Sequence, residues 1–260
     1  LRPVRAFARE WIAMSDYDRR FGQVAGAADM SVDAGLRAFM LGVYNKLALG
    51  LVVSAALAYI TSSYEPARDL FYVMQGDRLV GFTLLGTLLR FAPLAIIFGG
   101  MFFMRNPSPR SASLFYWSIV TLLGASLGIW VLLFTGASVA STFLITAAAF
   151  GGLSLVGYTT KRDLTGFGSF LIMGLWGIII ASLVNVFLHL PMMNFIISVL
   201  GVLIFAGLTA YDTQRLKMTY YQVGGDQAAM GVATSFGALT LYLDFINLFQ
   251  FMMSLFGDRR

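Results

Sequence analysis

The sequence contains no cysteine, which excludes disulfides, thiolate nucleophiles and thiolate metal sites. Charge is scarce as well. Asp, Glu, Lys and Arg make up 12% of the 260 residues, about half of the roughly 25% usual in globular chains, so the polar surface is too small to wrap a soluble core of this size. There is one histidine, His189, beside Pro191; it reads as an interfacial loop residue. No phosphate loop or dinucleotide fingerprint is present. The serine in "GGLSLVG" (Gly151–Gly157) lacks a strand-to-helix context and a histidine base, so that stretch reads as helix packing.

What is abundant is apolar sequence, at 58% of residues, and it is arranged in long runs. A membrane-crossing helix needs about 20 mostly apolar residues. Seven candidates follow one another with short breaks: Phe39–Tyr59, Arg90–Met104, Ser113–Phe134, Val139–Tyr158, Phe167–Leu188, Met193–Tyr211 and Ala238–Phe256. The second is short, and the apolar stretch Leu79–Leu89 either lengthens it or lies along the surface. Gly99-Gly100, Gly124 with Gly128, and Gly151-Gly152 are expected to bring helices close together, within one chain rather than across a dimer.

The pI near 9.6 does not point to nucleic acid, because the basic residues stand at the ends of apolar spans rather than on one patch. They read as topology signals. Residues 1–35 carry Arg2, Arg5, Arg9, Arg19 and Arg20 without a continuous apolar run. A cytoplasmic tail is expected there rather than a cleaved leader, with a surface helix near Val4–Met14. Basic loops at Arg105 and Arg110, at Lys161 and Arg162, and at Arg215 and Lys217 alternate with loops that carry no net positive charge. Seven spans with the N-terminus cytoplasmic follow from this pattern. The domain organisation is then a tail over 1–35, a membrane domain over 36–257 and a short end over 258–260.

Two acids stand inside the apolar runs. Asp212 closes the sixth span in "LTAYDTQRLK". Asp244 lies about 9 Å into the seventh if that helix starts near Ala238. An ionised aspartate at a helix centre costs about 2.5–3.5 kcal/mol on insertion scales, so a partner or a wet cavity is expected. The two spans run in opposite directions, which allows both carboxyl groups to sit at one depth. Such a pair titrates as a coupled unit, sharing a proton over an intermediate pH range. It can serve as a proton-operated switch or as an oxygen site for a hard cation such as calcium. The competing structural readings are a boundary residue paired with Arg215 for Asp212, and a hydrogen-bond acceptor for neighbouring helices for Asp244. Arg105, near the end of the second span, is the expected positive partner, with a topology anchor as its alternative role.

The segments "AYDTQRLK" (Ala210–Lys217), "LYLDFINLFQFMMSLFG" (Leu241–Gly257) and "TKRDLTGFGSFL" (Thr160–Leu171) together resemble the signature segments of the transmembrane Bax-inhibitor-motif family, in its bacterial inner-membrane branch. The resemblance covers roughly Leu36 to Gly257. It implies an all-α fold of seven transmembrane helices, with two three-helix layers around a central C-terminal helix. It also implies a pH-sensitive calcium leak channel gated by an aspartyl pair and an arginine. By motif these are Asp212, Asp244 and the Arg105 of "FFMRNP". The chain departs at Leu94, where some relatives carry an acid eleven positions before that arginine.

Two other functions compete. A non-transporting membrane regulator would bind a membrane protease or a partner in a stress or cell-death pathway, with the basic tail as a handle. An intramembrane aspartyl protease would also use two acids, but the required Gly-x-Gly-Asp and Pro-Ala-Leu segments are missing. The expectation is therefore a non-enzyme with no cofactor, calcium being the permeating ion, and with lipid and cations as its partners.

Overall fold

A computed structural model describes residues 34–76, 78–104, 106–223 and 225–259. Two compact units are distinguished, Leu1–Ala38 and Phe39–Arg260. Of the first, only residues 34–38 are described, as the opening turn of a helix. The expected tail, including its surface helix, falls almost wholly outside the described residues. The described chain is dominated by helices: α1 (Ala34–Ser63), α2 (Glu65–Phe71), α3 (Leu84–Phe103), α4 (Pro109–Ser126), α5 (Gly128–Leu133), α6 (Gly136–Thr159), α7 (Thr165–Leu188), α8 (Pro191–Val223) and α9 (Gln227–Phe256).

Short polar residues start these helices by supplying acceptors to backbone N–H groups that have no intrahelical partner. Thr83 accepts from Gly86, Ser108 from Ser111 ahead of α4 with Pro109 in its first turn, and Thr135 from Ser138. Asp226 accepts from both Ala228 and Ala229.

Six helical segments are long and apolar enough to cross a membrane: α1, the α4–α5 pair over Pro109–Leu133, α6, α7, α8 and α9. The expected seventh, α3, differs. Its apolar part is Leu84–Gly100, and Pro93 lies inside it. Where the sequence suggested one apolar stretch over Leu79–Leu89, the structure divides it. Residues 79–82 join strand β2 (Arg78–Phe82), which pairs antiparallel with β1 (Tyr72–Gln75). The all-helix expectation missed this hairpin. Thr83 makes the division: its hydroxyl donates to the Leu70 carbonyl at 2.6 Å while accepting from Gly86. Gly76, with φ +60° in the hairpin turn, adopts a backbone that suits glycine.

α3 nevertheless runs antiparallel along α4. Gly100 meets the Phe115 ring near the start of α4, and Leu89 faces the same cavity as Leu127 near its end. Gly124 of α4 and Gly128 of α5 both pack against α1, where an added Cβ would meet the Ser54 backbone and the Thr61 hydroxyl. The Gly124-x-x-x-Gly128 motif therefore serves packing within the chain. Gly99 faces open space while Gly100 is close-packed, and Gly151 and Gly152 both face open space, which corrects the expectation for that last pair. In α6 the close approach occurs at Gly157, directly against the Ala210 backbone of α8.

Large apolar side chains cover the outside, among them Phe187 at 77% exposure and Phe170 at 64%, as a lipid-facing surface requires. The chain is a multi-pass membrane protein. α9 is the most enclosed span, with 50% of its most apolar window buried against 17% for α7. One tie between α9 and α1 is the Ser54–Tyr242 hydroxyl contact at 2.7 Å, with the Tyr242 side chain fully buried. Tyr242→Phe is expected to cost about 1 kcal/mol, read as a fall in detergent melting temperature of about 2–4 °C.

A candidate carboxyl-pair site between helices α8 and α9

The turn at Gly225 and Asp226 leads into α9. Gly225 takes φ +86°, which favours glycine, and Asp226 then caps α9. Both helices run on well beyond the expected span ends. α8 reaches Val223 rather than Tyr211, and α9 starts at Gln227 rather than Ala238. Asp244 thus lies seventeen residues past Gln227, about 26 Å along the helix.

The structure brings the two expected acids together. Asp212 on α8 and Asp244 on α9 are 8% and 5% exposed, they line one cavity, and each carboxyl group lies near enough to act on the other's charge. A hydrogen bond between two carboxyl groups needs a proton on one of them. Oδ2 of Asp244 is buried and meets no hydrogen-bond donor among the described residues. Leaving a buried acceptor unmet costs about 1–3 kcal/mol, so the pair is expensive while both carboxyl groups are ionised.

A cavity of about 560 Å³ between α7, α8 and α9 is lined by both acids, together with Arg215, Ser182, Thr240 and Asn247. Arg215 is exposed and, among the described residues, closes no ion pair within 4.0 Å; the one described salt bridge is Arg68–Asp69. Arg105, the expected positive partner, lies outside the described residues. Asn247 is committed elsewhere than to the acids: its Nδ2 donates to the Leu243 carbonyl at 2.8 Å. His189 ends α7 in the left-handed conformation with φ +51°, exposed at the α7–α8 turn.

The rest of "YDTQRLK" holds α8 in place. The Thr213 hydroxyl donates to Thr209 O at 2.8 Å and reaches Ser154 on α6. Gln214 clamps the loop between α6 and α7 at both ends: its Oε1 accepts from Leu164 N at 2.8 Å, and its Nε2 donates to Arg162 O at 2.7 Å. Lys217, buried, donates to the Tyr158 carbonyl and lies over the Tyr158 ring. In the same loop the Thr165 hydroxyl and N–H both donate to Asp163 Oδ1 and hold its carboxyl below the usual carboxylate range. Asp163 therefore stays ionised to a lower pH than an ordinary aspartate.

Gln214→Ala is expected to release this loop without unfolding α8. Amide exchange at Leu164 should rise about tenfold or more, the bond to Gln214 being worth about 1–1.5 kcal/mol, while exchange within Phe205–Thr209 stays unchanged.

Two lysines escaped the sequence reading. Lys46 sits inside the first apolar run and donates to Ser113 at 2.9 Å and Ser235 at 2.8 Å, with the Tyr116 ring 5.2 Å away. It joins α1, α4 and α9 through neutral partners. Lys217 was read as part of a basic loop but is buried at 5% exposure. A lysine within an apolar run flanked by hydroxyl-bearing spans was the available signal.

Among the described residues no group of three or more His, Cys, Asp or Glu is placed to hold a metal.

Residues 36–260 match the model of the family described as inhibitor of apoptosis-promoting Bax1. The chain is 63% identical to a protein of Caulobacter vibrioides over 95% of its own length and all of that protein's. It is 41% identical to a protein of Rickettsia prowazekii, again over 95% of this chain and all of the relative. Identity to inner membrane protein YbhL of Escherichia coli K12 is 39%, covering 87% of this chain and 94% of that protein.

Proposed function

The chain belongs to the Bax inhibitor family, and from that premise we propose that it is a pH-sensitive calcium leak channel of the inner membrane, gated by the Asp212–Asp244 pair. The observation that carries this reading is the pair itself: two buried, neighbouring carboxyl groups on the two helices that line one cavity. With one proton between them, the pair carries a single charge and a hydrogen bond that ties α8 to α9. Removing that proton leaves two like charges in a low-dielectric setting, where their repulsion is far stronger than in water. Adding a second proton removes the charge altogether. Either change biases the packing of α9 against α8, and a helix pair with two packings biased by local charge is what a gate requires.

Calcium fits as cargo rather than as a resident ion. It takes six to eight oxygen ligands, and the pair with a neighbouring amide offers only part of that set, so water must supply the rest. Weak, partial coordination suits an ion that has to leave again. In this reading α3 is a seventh span, because its 20 residues measure about 30 Å and run the length of α4. α9 is then the central helix between two layers of three, and the N-terminus is cytoplasmic, as the basic loops favour. No covalent step is required, so the protein is a non-enzyme without a cofactor, and Arg105 is the expected third member of the gate.

Calcium entry into proteoliposomes tests the reading. The expected result is entry above that of protein-free vesicles, at a rate that changes with pH. Entry equal to that of empty vesicles at every pH would contradict it and favour a regulator that binds a membrane partner without transport.

A further inference from the structure

α9 is buried on nearly all sides, yet one line of positions along it is not. Thr240, Leu243, Asn247 and Gln250 are half-buried, while their neighbours Leu241, Tyr242, Asp244, Phe245, Ile246, Leu248 and Phe249 are buried. The steps of three, four and three residues place them on one face of the helix. Three of the four are polar, an expensive choice for a span unless water reaches it.

That face borders two cavities. Thr240, Leu243 and Asn247 line the carboxyl cavity of about 560 Å³. Leu243, Asn247 and Gln250 line a second cavity of about 590 Å³, bounded by α3, α4 and α5. Leu243 and Asn247 are common to both walls. The amide of Asn247 has a fixed sense here. A carbonyl can only accept, so its Nδ2 must face Leu243 O, and Oδ1 is left without a donor among the described residues. Gln250 likewise makes no hydrogen bond among the described residues. Arg90 is the one charged residue lining the second cavity. It lies over the Phe82 ring at 5.4 Å and makes no ion pair among the described residues. Leu94 lines the same cavity.

We infer that the two cavities are halves of one water-filled passage whose wall is the Thr240–Asn247–Gln250 stripe, that Asn247 is its narrow point, and that Arg90 gives the α3 half a positive charge that slows cations. This deepens the proposed leak and rests on it for the cargo, though not for the passage. A fixed charge in a cleft with low-dielectric walls changes the arrival rate of ions by about 10-fold or more. With no acid at Leu94 to offset it, Arg90 acts as a brake on divalent cations.

The absence of cysteine permits a direct test by single-cysteine labelling of the full chain with small charged methanethiosulfonate reagents. Asn247→Cys and Gln250→Cys are expected to react within about tenfold of the loop control Lys161→Cys, because their thiols ionise in water. Leu203→Cys, on an exposed apolar position of α8, is expected to react about 100-fold more slowly, its thiol being held in lipid. At Gln250→Cys the anionic reagent should outpace the cationic one about tenfold, and adding Arg90→Glu should invert that preference.

Unreactive Asn247→Cys and Gln250→Cys in protein that elutes as wild type would overturn the passage; where Asn247→Cys misfolds, Gln250→Cys decides alone. A reagent preference unmoved by Arg90→Glu would overturn the role of Arg90. Labelling as expected without calcium entry would leave the passage standing and remove the leak. Calcium entry without labelling would do the reverse.

Discussion

Replacing Asp244 with asparagine is expected to leave calcium entry into proteoliposomes independent of pH between about pH 5 and about pH 8, where the wild-type rate changes about tenfold. The amide has nearly the shape of a carboxyl group and is neutral at every pH, so Asp244→Asn mimics one permanently protonated partner. The rate should therefore equal that of the singly protonated wild-type pair throughout. Asp212→Asn should behave the same way, because the proton belongs to the pair rather than to either residue. The double variant should add little to either single one, as expected for residues that act as a unit. A protein with Asp244→Asn whose calcium entry still follows the wild-type pH profile would remove the pair from the gate.

The second large effect concerns packing. Gly157→Val places two methyl-bearing branches where even a Cβ meets the Ala210 backbone. Backbone cannot step aside as a flexible side chain can, and the contact lies only two residues from Asp212. Overpacking of this kind costs about 3 kcal/mol, the upper end of its usual range. Gly152→Val, five residues earlier on the same helix, faces open space and is expected to shift the detergent melting temperature by less than about 2 °C. Gly157→Val should lower it by roughly 6–12 °C, or prevent accumulation of folded protein. Equal stability of the two variants would show that α6 and α8 do not approach as closely as described.

The acid pair was legible in the sequence for a physical reason. A carboxyl group inside an apolar run is costly, and two of them on consecutive antiparallel spans can offset that cost only by meeting. The full length of their helices was not legible. Hydropathy marks where a span stops being apolar, but hydrogen bonding carries a helix on past that point, as in α8 beyond Tyr211 and α9 before Ala238. The hairpin was missed because Leu79–Phe82 is as apolar as the helix that follows; only the cap at Thr83 separates them. The Gln214 clamp and the two lysines join positions 50 to 189 residues apart in the chain, and single-sequence spacing holds no record of such pairs. Glycine pairs misled where spacing alone was used: Gly151 and Gly152 stand on an open face, while the isolated Gly157 makes the close approach.

The most direct test of the account is infrared difference spectroscopy of the carboxyl C=O stretch across pH, on the wild type and on each single aspartate-to-asparagine variant. The account predicts a coupled titration in which one proton is held in common, and each single substitution should abolish that shared step. Two separate titrations, each surviving substitution of the other residue unchanged, would contradict it.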